Sequence, residues 1–159
     1  PFTDSIAWNT SSMIGTRRFV EKVWRLQEKV VTKDNTDINA ILHKTIQKVG
    51  SDIESFKFNT AISALMILLN AAEKGAVGKK QWETILKLLA PFAPHMTEEL
   101  WAMAGHKKSI HLEAWPLVDQ EFLKVDEVTI VIQINGKVRG QQRILTKTNL
   151  VAWRSLKSL

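Results

Sequence analysis

From residue 14 to residue 104 the apolar side chains recur at helical spacing, and from residue 128 they alternate. A helix repeats every 3.6 residues and a strand every two, so this chain has to bury several one-sided helices against each other and then change to strand. In 14–31, IGTRRFVEKVWRLQEKVV, the residues Phe19, Val23, Leu26 and Val30 share one face, and Arg18, Lys22, Arg25 and Lys29 repeat that spacing one position earlier. The pattern predicts a helix with a basic ridge beside its buried face. TKDNT at 32–36 breaks it. Over 37–57, Ile38, Ile41, Leu42, Thr45, Val49, Ile53 and Phe56 predict a long second helix despite Gly50, with Asp37 near its start, where a carboxylate suits the helix dipole. Asn59 or Thr60 is the expected cap of a third helix, AISALMILLNAAEKG, and Gly75 its end. That helix is apolar nearly all round, which predicts neighbours on every side. GKKQWETILKLLAPFA opens a fourth, with Trp82, Ile85, Leu86 and Leu89 on one face.

The stretch LAPFAPHMTEELW places Pro91 and Pro94 where a helix interior tolerates proline poorly. Pro91 is expected to end or kink the fourth helix, and Pro94 to open a fifth, because the first turn needs no N–H from it. Thr97, Glu98 and Glu99 would put negative charge into that first turn, His95 would be a hydrogen-bonded corner residue, and Leu100, Trp101 and Met103 would point to the core. Five helices with short breaks predict an all-α bundle over 14–104.

Residues 105–126 lose the helical period and read as a connector pinned by Trp115-Pro116. In EVTIVIQINGKVRGQQRIL, Val128, Ile130, Ile132 and Ile134 alternate, Asn135-Gly136 is a hairpin turn signal, and Val138 starts a return strand. A boundary near 118–126 follows, giving a helical domain over 1–117 and a second module over 118–159 with its hairpin at 128–145. TKTNLVAWRSLKSL could form a short helix.

The net charge of +6 is unevenly placed. Lys137, Arg139, Arg143, Lys147, Arg154 and Lys157 have no acidic residue among them after position 127, whereas basic and acidic residues balance before it. A basic tail on a neutral body suits an anionic partner, nucleic acid first, or serves solubility alone. There is no cysteine, so disulfides and thiolate metal sites are excluded, and a reducing cytosolic home is compatible. No apolar run approaches the roughly 20 residues of a membrane span. The chain has no phosphate loop, no dinucleotide fingerprint, no HExxH and no GxSxG. His43, His95, His106 and His111 lack the partners of a zinc set. Neither a catalytic residue nor a metal ligand is therefore expected.

Binding features are stronger. Arg17, Arg18, Lys22, Arg25 and Lys29 on the first helix could follow a phosphate backbone, or be a solvated face that Glu21 and Glu28 partly neutralise. Lys44 and Lys48 add an i, i+4 pair on the second helix. Lys137, Arg139 and Arg143 recur on the return strand, where cations also block edge aggregation. Trp24 and Trp153 could stack on bases, but such indoles are expected in the core.

Taken together, RRFVEKVW, LHKTIQKVGSDIESFKFNTAISALM, LLAPFAPHMTEELW, SIHLEAWPLVD and VIQINGKVRG resemble the C-terminal portion of bacterial-type leucyl-tRNA synthetases, over roughly residues 1–145. The proline corner is shared with the wider class I group for Leu, Ile, Val, Met and Cys, and QINGKVRG points to leucine. The resemblance implies a five-helix anticodon-binding bundle followed by a small α+β piece, truncated relative to that family's C-terminal module. It implies that PFTDSIAW follows an upstream catalytic domain, to which the ATP, the Mg and the leucylation belong. HIGH-like and KMSKS-like motifs are absent here, so this stretch should be inactive alone and need no cofactor. It implies tRNA(Leu) as partner, held by its backbone rather than its anticodon bases, in the cytoplasm and away from membranes. On this reading the RNA contacts are Arg17, Arg18, Lys22, Arg25, Lys44, Lys48, Lys137, Arg139 and Arg143. The competing reading is a helical protein-interaction module that binds no RNA, favoured by the net-zero body.

Overall fold

The computed structural model describes residues 12–123, 127–134 and 137–145, the last two stretches by their backbone alone. Contacts divide the chain into two compact units, with the division after Gln120.

In the first unit α1 (Ser12–Leu26) ends five residues earlier than its apolar stripe predicts. Gln27–Lys29 tighten into a 3-10 turn and Val30–Val31 become a strand, β1, paired in parallel with β2 (Val77–Gly78). Val30 stays half-buried either way, so the stripe is honoured, but its backbone partner lies 47 positions along the chain (Val30↔Val77) where local periodicity has no view of it. Trp24, expected in the core, is 40% exposed, because it stands one position, or about 100°, round the helix from buried Val23.

A 3-10 turn at Thr36–Ile38 leads into α2 (Asn39–Glu54). Asn35 caps that turn, its side chain accepting from the Asp37 amide at 3.0 Å, while α2 itself follows Ile38 with no side-chain cap. α3 (Phe58–Ala72) begins before Asn59 and Thr60, and neither caps it. Instead the Thr60 hydroxyl lies 2.7 Å from the Asp52 carboxylate and 2.9 Å from the Lys57 carbonyl. The α2–α3 turn closes with Lys57 N–H donating to Asp52 C=O and Phe56 N–H to Ile53 C=O. This arrangement puts its central residue in the left-handed region, usually as glycine, and Phe56 adopts it with φ 55°. Phe56 is consequently 70% exposed and leaves the α2 stripe, whose buried members are Leu42, Thr45, Ile46, Val49 and Asp52.

α4 (Lys79–Leu89) follows β2 directly. Buried Gln81 ties its start to the α2 entry: Oε1 accepts from the Gly78 and Asn35 amides, both at 3.0 Å, and the side-chain amide donates to Asn35 C=O and Asn39 Oδ1. Here the 32–36 connection crosses so close that a Cβ on Gly78 would lie 2.4 Å from Asp34 Cα. Gly78→Ala must therefore displace backbone, and we expect a loss of about 1–3 kcal/mol in a denaturant melt; an unchanged midpoint would show that this crossing yields freely.

The proline corner resolves as two helix ends. Phe92 and Ala93 amides donate to Leu89 C=O at 2.9 and 3.0 Å, closing α4, and Pro94 takes the first position of α5 (Pro94–Met103). Glu98 and Glu99 fall beyond the first turn. Glu98 instead accepts from Ser109 Oγ and the Ile110 amide, at 3.0 and 3.1 Å. Leu100 and Trp101 are buried, but Met103 is 56% exposed, about 120° from the Thr97–Leu100–Trp101 face. His95 is exposed and makes no hydrogen bond among the described residues. His106 instead is stacked on Trp101 at 3.7 Å with its Nε2 3.0 Å from Glu83.

Residues 105–119 form a strap across the bundle. Trp101 Nε1 donates to Lys108 C=O (3.1 Å), Lys87 pairs with Glu113 (2.9 Å), the Asp119 amide donates to His43 Nδ1 (3.1 Å), and the Trp115 indole lies over Gly50. The core beneath is chiefly Leu65, Leu68 and Leu69 of α3 against Val23, Leu42, Val49, Ile85, Leu86 and Leu89.

In the second unit β3 (Glu127–Ile134) and β4 (Lys137–Leu145) are antiparallel, from Ile134↔Lys137 to Glu127↔Leu145, with a register shift between Ile132 and Gln133. The Asn135-Gly136 turn, the helix expected within 146–159 and Trp153 lie outside the described residues.

Candidate nucleic-acid interface

α3 was expected to be enclosed, and it is not. Ala61, Leu65, Leu68, Leu69 and Ala72 point inward, which turns Ser63, Met66, Ile67 and Asn70 outward as a ridge. α1 flanks this ridge on the Met66 and Asn70 side, α2 on the Ile67 side. Each flank leaves a groove: a small one of 190 Å³ that includes Arg18, Lys22, Met66 and Asn70, and a larger one of 860 Å³ that includes Lys44, Gln47, Lys48, Ser51, Ser63 and Ile67. Cations from two helices thus stand on either side of a third.

Their charges are not equally free. Arg17 is on the outer face of α1, away from the groove, with Nε 2.7 Å from Glu21. That hydrogen bond holds the Glu21 carboxyl below its ordinary range. Lys22 is 2.9 Å from Glu73 and 2.7 Å from Asn70 Oδ1, a tie between α1 and α3, and it holds the Glu73 carboxyl low. Lys29 also donates to the Glu73 carbonyl, and Arg25 Nε to Glu21 C=O at 3.3 Å. The continuous ridge expected on α1 is therefore interrupted. Arg18, by contrast, and Lys44 on α2 make no ion pair or hydrogen bond among the described residues. Lys48 sits between these cases, half-exposed with Nζ 2.5 Å from buried Asp52. Lys137, Arg139 and Arg143 occupy β4, with Lys137 opposite Ile134, Arg143 opposite Thr129 and Arg139 where the register shifts; their side chains lie outside the described residues.

The Lys48 hydrogen bond, supported by Thr60, holds the Asp52 carboxyl below its ordinary 3.8. A carboxyl lowered in the folded state adds stability above its unfolded pKa and loses it as pH falls through the folded one. Asp52→Asn should therefore flatten the fall in thermal midpoint as pH drops below the ordinary carboxylate range, relative to wild type. Parallel curves would remove the pair from the acid response.

Sequence reading found the cations and missed the ridge between them. Its signal was present: Asn59, Ser63 and Asn70 are polar positions on one line of a helix whose other residues, Thr60 apart, are apolar.

A family model described as the anticodon-binding domain of tRNA ligase matches residues 35–152. The chain belongs to that family. The match starts at Asn35, the cap of the 3-10 turn before α2, so in this anticodon-binding domain α2 to α5, the strap and the hairpin fall within it and α1 precedes it. Among solved structures, the ternary complex of Agrobacterium radiobacter K84 agnB2 LeuRS with tRNA and LeuAMS is similar, with TM-score 0.75 and 29% identity over 97% of this chain. The anticodon-binding domain spans 23% of that LeuRS chain. Among its described residues no helix is long and apolar enough to cross a membrane.

Proposed function

We propose that this chain is the tRNA-holding part of a leucyl-tRNA synthetase. It grips the sugar–phosphate backbone of tRNA(Leu) across α1, α3 and α2, while an upstream catalytic domain of the same polypeptide leucylates the tRNA with ATP and Mg in the cytoplasm. The observation that carries this is the likeness, along 97% of the chain, to a LeuRS whose structure holds tRNA. Arg18 and Lys44 are its leading phosphate contacts, since neither side chain is held in an ion pair or hydrogen bond among the described residues. Lys48 and Arg25 support them, Arg17 and Lys22 contribute less because Glu21 and Glu73 answer them, and Lys137, Arg139 and Arg143 are assigned as further phosphate contacts on the second unit. Phosphate contacts position a nucleic acid without reading its sequence, which suits a surface made of cations and short polar side chains.

The exposed Met66 and Ile67 favour one alternative, docking of a protein partner on the same ridge. Amide-shift mapping separates the two. Added tRNA(Leu) should move signals of residues 44–51 and 60–70 and leave 82–89 in place; unmoved ridge signals at saturating tRNA would contradict the assignment.

A further inference from the structure

We infer that the α2–α3 groove reads the ribose 2′-hydroxyl, so that this face takes duplex RNA in preference to DNA of the same sequence. The inference rests on the reading of this face as an RNA surface and goes beyond it in naming what the groove distinguishes. A surface that bound phosphate alone would need only its cations. Beside Lys44 and Lys48 the groove is lined by Gln47 and Ser51 of α2 and by Ser63 of the α3 ridge, which are uncharged hydrogen-bonding groups. They are available. Ser63 gives its hydroxyl proton to Asn59 C=O at 2.9 Å and so turns its oxygen lone pairs outward as an acceptor. The Gln47 amide and the Ser51 hydroxyl make no side-chain hydrogen bond among the described residues, leaving both donor and acceptor capacity. Half-buried Ile41 and Ala64, with exposed Ile67 on the ridge, give the groove an apolar lining against which the C–H face of a ribose can rest.

The shape points the same way. α3 stands as a convex ridge between two grooves, and A-form RNA offers a wide, shallow minor groove lined with 2′-hydroxyls. Neither an aromatic nor an acidic side chain lines the larger groove. A stacking platform for unpaired bases is therefore missing from it, and single-stranded RNA is the poorer match.

The test uses the full 159-residue chain and three blunt duplexes of one sequence: RNA, DNA, and RNA methylated at every 2′-oxygen. RNA should bind about fivefold or more tighter than DNA, and methylation should abolish that advantage while keeping the A-form shape. Combining Gln47→Ala with Ser63→Ala should bring RNA affinity down to the DNA level, leaving DNA affinity and salt dependence unchanged. Lys44→Ala should weaken both duplexes alike. Equal affinity for RNA and DNA, or methylated RNA binding as well as unmodified RNA, would overturn the inference while leaving a backbone-binding surface intact. Failure to bind any duplex at low salt would overturn that surface as well.

Discussion

Trp101→Ala is expected to lower the stability of the helical unit by about 3–5 kcal/mol, more than Gly78→Ala or Lys22→Ala should. The indole is 2% exposed, so its removal leaves a cavity in a close-packed core. It also releases two constraints on the strap, the stack with His106 at 3.7 Å and the bond from Nε1 to Lys108 C=O, and it removes the ring that lies 5.4 Å from the Lys87 ammonium of α4. Trp101→Phe should recover part of the buried area but not the Lys108 bond. Denaturant midpoints measure the loss, and limited proteolysis within residues 105–119 reports whether the strap comes free. A loss under about 1 kcal/mol would mean that the strap holds without this anchor. The strap braces α2 at His43 and Gly50, on the flank away from α3. Trp101→Ala should therefore reduce RNA affinity far less than it reduces stability.

The Trp101 anchor shows where sequence patterns carry and where they stop. Apolar spacing located the five described helices and buried residues such as Val23, Ile85 and Leu100, because those side chains must be buried on whichever helix holds them, but it turned Met103 inward and gave α3 no outward face. It failed where the partner is distant in sequence. Val30 leaves α1 for a strand with Val77, and Gln81 joins α4 to Asn35 and Asn39. It failed also where backbone geometry outranks hydrophobicity, as at Phe56, whose left-handed turn carries an apolar ring into solvent. At the interface the sequence supplies the cations but not their neighbours. Nothing in local spacing says that Glu73, 51 positions from Lys22, consumes its charge, or that Arg18 is left with its own.

That difference should set the salt response of RNA binding. Arg18→Ala combined with Lys44→Ala should reduce the slope of log affinity against log salt by about 1.4–1.8, near 0.7–0.9 for each phosphate no longer neutralised. Binding at low salt should weaken by about tenfold or more. Stability should change by no more than about 0.5 kcal/mol, since neither side chain has a partner among the described residues to forfeit. Arg17→Ala should leave the slope nearly untouched. Lys22→Ala should cost stability instead, because it unties α1 from Glu73 and Asn70 of the α3 side. Should Arg17 and Arg18 prove interchangeable in this series, the ion pairs would not be selecting which cations reach the RNA.

The most direct test of a phosphate-directed surface is a titration of the whole chain into labelled tRNA(Leu) at several salt concentrations, beside a tRNA for another amino acid. Saturable binding is expected, with log affinity falling linearly with log salt, as happens when several phosphates are neutralised at once. Absence of binding at low salt, or binding indifferent to salt, would contradict such a surface on α1, α2 and α3.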